Sequence, residues 1–241
     1  MAIRCIWCVV GRMVEAGPSH VGEFFRWAGT AIFRLPDPAT RRRAAFSVAM
    51  IALAAKMARA DGVVTLEEEE AFERLFDVPP GERRNVRRLF DLAKQHTSGF
   101  DHYAARIAHL YSHDARVLED VLDGLFMIAA ADGAIHEAEL VYLENVAVIL
   151  GMEEVAFERV AARHTIGKSG DPYLVLEAKR SWPLDNIRRQ YRRLVAENHP
   201  DKLIGRGMPP EFIAIASDRV AAMNAAWERI KRVHPPVLEA T

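Results

Sequence analysis

Apolar residues recur along the chain with the period of one helix face. The pattern predicts two apolar helical runs, over residues 44–60 and 117–131, each followed by an amphipathic run, over 66–76 and 137–150. Two further helical stretches, about 80–95 and about 99–112, lie between them, punctuated by Pro79-Pro80-Gly81 and Ser98-Gly99. The C-terminal part predicts a short helix over 173–178, a longer one over 184–198 and a last one over 211–231. On the middle helix of these three, Leu184, Ile187, Tyr191, Leu194 and Val195 share one face, and Arg188, Arg189, Arg192 and Arg193 occupy much of the rest. The last helix offers an answering stripe of Phe212, Ile213, Ala216, Val220, Met223 and Trp227. Between the two lies a loop that opens with His199-Pro200-Asp201-Lys202. Helices of these lengths with short connections pack as antiparallel neighbours, so the expected fold is all-α: an antiparallel helical bundle followed by a helical hairpin.

The bundle carries an internal repeat. Ala58-Arg59-Ala60-Asp61-Gly62-Val63-Val64 returns 71 residues later as Ala129-Ala130-Ala131-Asp132-Gly133-Ala134-Ile135, and the likeness extends to Glu68 and Glu139. Each copy reads as a helix, a tight turn and a second helix. Gly62 and Gly133 are suited to the left-handed conformation that ends a helix, and Thr65 with Glu68 forms a capping box for the next one. The acidic pairs Asp61 with Glu68 and Asp132 with Glu139 also raise a divalent-ion reading. Against a calcium-binding loop, however, the first and third ligand positions fall on Met57 and Arg59, then on Ile128 and Ala130, which supply no side-chain oxygen. Capping accounts for these carboxylates without a metal, and no cofactor is implied.

Composition agrees with the helical reading and narrows the function. The chain has 241 residues, 50% hydrophobic and 27% charged, with only 14 Gly and 12 Pro. A net charge of −1 gives no global attraction to nucleic acid or anionic lipid. The charge is unevenly placed: residues 171–233 hold 12 Lys+Arg and 8 Asp+Glu, a balance of +4, against −5 elsewhere. Residues 164–170, small and polar, read as a linker between a domain over 36–163 and a second over 171–233, with a tail over 234–241. The two cysteines, Cys5 and Cys8, are too few for a disulfide framework or a structural zinc site. The first 35 residues form an amphipathic segment expected to pack on the next domain. Its apolar run falls short of the roughly 20 residues a membrane helix needs. Gly167-Lys168-Ser169 lacks the upstream glycine of a phosphate-binding loop, so ATP hydrolysis by this chain is not expected.

The C-terminal unit resembles the J domain of the DnaJ family of co-chaperones. The likeness rests on Pro172-Tyr173 with Leu176, Ile187 with Tyr191-Arg192 and Leu194, the His199-Pro200-Asp201-Lys202 loop, and Met223-Asn224 with Ala226-Trp227. The stretch 199–210 is similar to the DjlA-type subgroup, whose members carry a TerB-like helical domain ahead of the J domain; the doubled Ala-Asp-Gly motif resembles that domain. The resemblance implies a DnaK-type ATPase chaperone as partner and an unidentified client protein, and it implies a non-enzymatic role: docking stimulates hydrolysis in the partner. His199, Pro200, Asp201 and Lys202 would carry the docking loop, and Arg188, Arg189, Arg192 and Arg193 the cationic face. The TerB-like domain would select client or location. Members of the subgroup have an N-terminal membrane span, which residues 1–35 cannot supply, so the expected location is cytoplasmic, with peripheral association at the inner membrane left open. The alternative is a stress-response interaction or divalent-ion-binding protein in which the TerB-like domain carries the function.

Overall fold

The computed structural model describes residues 38–57, 65–76, 78–84, 87–88, 100–167, 169–205 and 210–234. All regular structure among them is helical, in chain order α1 (Pro38–Met57), α2 (Leu66–Leu75), α3 (Phe100–Leu110), α4 (Ala115–Ala129), α5 (Glu137–Ile149), α6 (Glu154–His164), α7 (Pro172–Val175), α8 (Leu184–Glu197), α9 (Pro200–Gly205) and α10 (Pro210–Val233). The all-α expectation holds. Most predicted helices are found with ends moved by a few residues. Cys5, Cys8 and the whole of 1–35 lie outside the described residues, as does most of the stretch expected at 80–95.

Two helices form the middle of the bundle. Every residue of α1 from Ala49 to Met57 is buried, and so is nearly all of α4 from Val117 onward. Helices apolar on most of their circumference belong inside, and α2, α3, α5 and α6 pack around this pair. Tyr142 of α5 donates its hydroxyl hydrogen to the carbonyl of Leu53 in α1 at 2.9 Å, which satisfies a polar group that burial would otherwise penalise.

Where the described residues cover the repeat, its capping chemistry is found; Asp61 and Gly62 lie outside them. Thr65 Oγ1 accepts from the Glu68 N–H at 3.2 Å, and Glu68 accepts from the Thr65 N–H at 2.7 Å, a complete capping box. In the second copy the helix ends at its C-cap Ala130, and Gly133, expected to end it, lies three residues beyond, where its φ of +94 serves the turn; Asp132 accepts from the Ala134 N–H at 3.0 Å. Glu139 accepts from the His136 N–H at 2.9 Å.

Two elements depart from the pattern. Helix α6 has no separate counterpart in it, because its buried face holds Val160, Ala162 and Arg163, and an arginine reads as surface from sequence alone. The expected loop after His199 begins instead as the short helix α9. Pro200 stands at a first helical position that needs no N–H donor, and Asp201 sits in the first turn where the helix dipole favours a negative charge.

The apolar interior forms two clusters. The larger lies within the bundle; the smaller joins Tyr173, Val175, Leu176, Ile187, Leu194, Met223, Ala226 and Ile230 in the hairpin. Helix α10 belongs to both. Its first half inserts Phe212 and Ile215 into the bundle core, with Phe212 stacked on Phe46 at 4.9 Å, and its second half closes the hairpin against α7 and α8. The segment between the domains is anchored at Ile166 and Gly170. Gly170 is buried, a Cβ there would collide with the Ala162 carbonyl oxygen, and Arg229 donates to the carbonyls of Ile166 and Gly170 at 3.1 and 2.9 Å.

Candidate functional site

The hairpin tip is built by two backbone hydrogen bonds. The Lys202 N–H donates to the His199 carbonyl at 3.0 Å, and the Asp201 N–H donates to His199 Nδ1 at 3.3 Å. His199 thereby caps α9, and its neighbour Pro200 holds φ in the helical range. The tip is open to solvent: the side chain of His199 is 50% exposed and that of Asp201 81%. Three polar groups, His199, Asp201 and Lys202, face water on a turn that a proline rigidifies.

The cationic face runs along α8. Arg188, Arg189, Arg192 and Arg193 are all exposed. Arg193 bonds Gln190 at 3.0 Å and pairs with Glu197 at 3.6 Å, and Arg189 bonds Asn186, so these two are held along their own helix. Arg188 and Arg192, one turn apart, have no ion pair among the described residues. The opposite face of α8 is fixed to α10 by Ile187 and Leu194, by Tyr191 stacked on Trp227 at 5.4 Å, and by the Tyr191 hydroxyl donating to Asn224 at 2.9 Å. Packing on one side leaves the arginines on the other.

Behind the tip lies a buried ionic cluster that the sequence reading missed. Arg219 of α10 donates to Asp123 from Nε and Nη2 at 2.9 and 2.6 Å, to Asp120 from Nη2, and to Asn198 from Nη1 at 3.1 Å. Arg163 donates to Asp123 at 2.8 Å and pairs with Glu119 at 2.5 Å, Arg159 reaches Glu119 at 3.0 Å, and His164 Nε2 lies 3.0 Å from Asp123. A signal was present in the chain: Asp120 and Asp123 interrupt the apolar run 117–131, and Arg219 stands in the stripe that joins Ile215 to Met223. Charges at core positions have to find one another.

The acidic pairs weighed as metal ligands are placed differently. Asp61 lies outside the described residues. Glu68, Asp132 and Glu139 are engaged by backbone N–H groups at helix starts and turns. Among the described residues no group of three or more His, Cys, Asp or Glu side chains is placed to hold a metal ion.

Residues 47–162 match the family model of the tellurite resistance protein TerB. Similar proteins include the co-chaperone protein DjlA of Photobacterium profundum, 28% identical over 79% of this chain and 78% of its own, and that of Vibrio parahaemolyticus, 27% identical over 82% and 81%. The same-named protein of Coxiella burnetii is 23% identical over 96% of this chain and 93% of its own. This chain carries a TerB domain and is a homologue of the DjlA proteins. No solved structure matches it. Asp120 and Asp123 lie inside the TerB match, while Arg219, Asn198 and the tip lie beyond it. Among the described residues no helix is long and apolar enough to cross a membrane.

Proposed function

We propose that the chain is a co-chaperone whose C-terminal hairpin is a J domain: it docks on a DnaK-type chaperone and accelerates that partner's ATP hydrolysis, while the TerB domain selects the client or the location. The observation that carries this reading is the exposed His199-Pro200-Asp201 turn at the end of a helix whose outer face is arginine-rich. The arginines meet an acidic surface and set orientation and encounter rate more than affinity. The tip then presents the Asp201 carboxylate and the His199 ring in one fixed geometry. ATP chemistry belongs to the partner, and this chain contributes no catalytic group of its own. Its place in this reading is the cytoplasm, where such a chaperone works.

Single-turnover ATP hydrolysis by the source organism's DnaK-type chaperone tests the reading. Wild-type protein should accelerate it. His199→Gln and Asp201→Asn should lose about tenfold or more of that acceleration while helicity and melting stay unchanged, because both side chains are exposed and contribute little to the core. No acceleration by folded wild-type protein, or equal acceleration by both variants, overturns it.

A further inference from the structure

Asn198 ends α8 and immediately precedes His199, and it is buried. Its amide nitrogen Nδ2 donates to the Leu194 carbonyl at 2.8 Å, and its backbone N–H reaches the same oxygen at 2.9 Å. That leaves Oδ1 as the acceptor for Arg219. The guanidinium, with donors in a rigid planar fork, therefore bridges α4 on one side and the base of the tip on the other.

The bundle needs this arginine. Glu119, Asp120 and Asp123 bring three carboxylates to one buried place, and Arg159 and Arg163 bring two guanidinium groups. Asp120 pairs with neither of these and is met by Arg219 from α10, which also pairs with Asp123. Asp120 has Arg219 as its one ionic partner among the described residues, so any other seating of α10 would strand it.

From this geometry we infer that Arg219 and Asn198 are positioning residues through which the TerB domain fixes the orientation of the His199-Pro200-Asp201 tip. The functional consequence rests on the co-chaperone reading; the structural coupling does not. Docking of the arginine face and action of the tip then become separable. Loosening the Arg219–Asn198 link leaves Arg188 and Arg192 in place but lets the tip turn relative to them.

The full-length chain with Asn198→Ala tests this, because the substitution leaves every ion pair of the bundle untouched; Arg219→Met is its companion. Two readouts are taken. Hydrogen exchange is measured at the Asp201 and Lys202 amides, which donate to His199, and at the amides of α4. Stimulation of the partner ATPase is titrated to saturation. In Asn198→Ala the tip amides should exchange about tenfold faster or more, with α4 unchanged, and maximal stimulation should fall several-fold at an unchanged half-saturating concentration. Asn198→Asp keeps an oxygen towards Arg219 but, like Asn198→Ala, loses the donor to the Leu194 carbonyl, so its tip amides should exchange more slowly than those of Asn198→Ala. Tip amides that exchange at the wild-type rate in folded Asn198→Ala overturn the inference. If Arg219→Met does not fold, Asn198→Ala decides alone. Absence of stimulation by wild type sinks the co-chaperone reading, and the exchange measurement still decides the coupling.

Discussion

Asp120 and Asp123 are identical side chains three residues apart on α4, and their surroundings drive them in opposite directions. Burial opposes ionisation of both. At Asp123 the guanidinium groups of Arg219 and Arg163, with the hydrogen bond to His164, overcome burial and hold the carboxyl well below the usual range. At Asp120 burial prevails: Arg219 offsets only part of it, and Asp123 and Glu119 add repulsion, so the carboxyl is pushed up to about 6. The sign of the consequence follows. A folded-state value above the unfolded one means stability that is present in acid and lost as pH rises through about 6. Asp123 behaves in reverse and costs stability only in much stronger acid. Asp120→Asn keeps an oxygen for Arg219 and removes the titration. Thermal melts at about pH 5 and about pH 7.5 should therefore show a smaller drop for the variant than for wild type, by on the order of 1 kcal/mol or a few degrees. Parallel profiles for the two proteins would exclude this account of Asp120.

Among the elements, α8 is the one whose two faces were both legible in the chain. Its apolar positions pack and its arginines face water because a 3.6-residue period allows no other division. The tertiary contacts add a distinction within the basic face: Arg193 and Arg189 are tied to neighbours, and Arg188 and Arg192 have no ion pair among the described residues. Reversing Arg188 and Arg192 to Glu should raise the half-saturating concentration for ATPase stimulation about tenfold and flatten its salt dependence, with α8 still helical by circular dichroism. A salt slope equal to that of wild type would remove these two residues from the docking face. The helix α9 was less legible. Pro200 and Asp201 suit a helix start as well as a turn, and the choice depends on His199 turning its ring nitrogen onto the Asp201 amide, a contact that composition does not specify.

For the molecule as a whole the decisive element is α10, which closes the hairpin and completes the bundle core. Its approach to α4 depends on Gly124, where a Cβ would meet Ile215 Cδ1 at 3.1 Å, with Leu75 and Met50 at 3.5 Å behind it. Gly124→Leu should wedge α10 away and cost about 1–3 kcal/mol despite the gain in helix propensity. Denaturant unfolding checks this, and an unchanged midpoint would mean that α10 does not depend on the glycine.

The helical class, the repeat with its capping turns, the amphipathic faces and the His199-Pro200-Asp201 tip were determined by the sequence itself, because each depends on residues within a few positions of one another. Local propensity and helical period suffice for such features. That Arg219 joins Asp120 and Asp123, 99 and 96 residues away, was decided only by the tertiary structure. So was the insertion of α10 into the bundle core. A buried charge in a helix announces that a partner exists; which partner it meets depends on how the packed helices cross, and no local pattern carries that information.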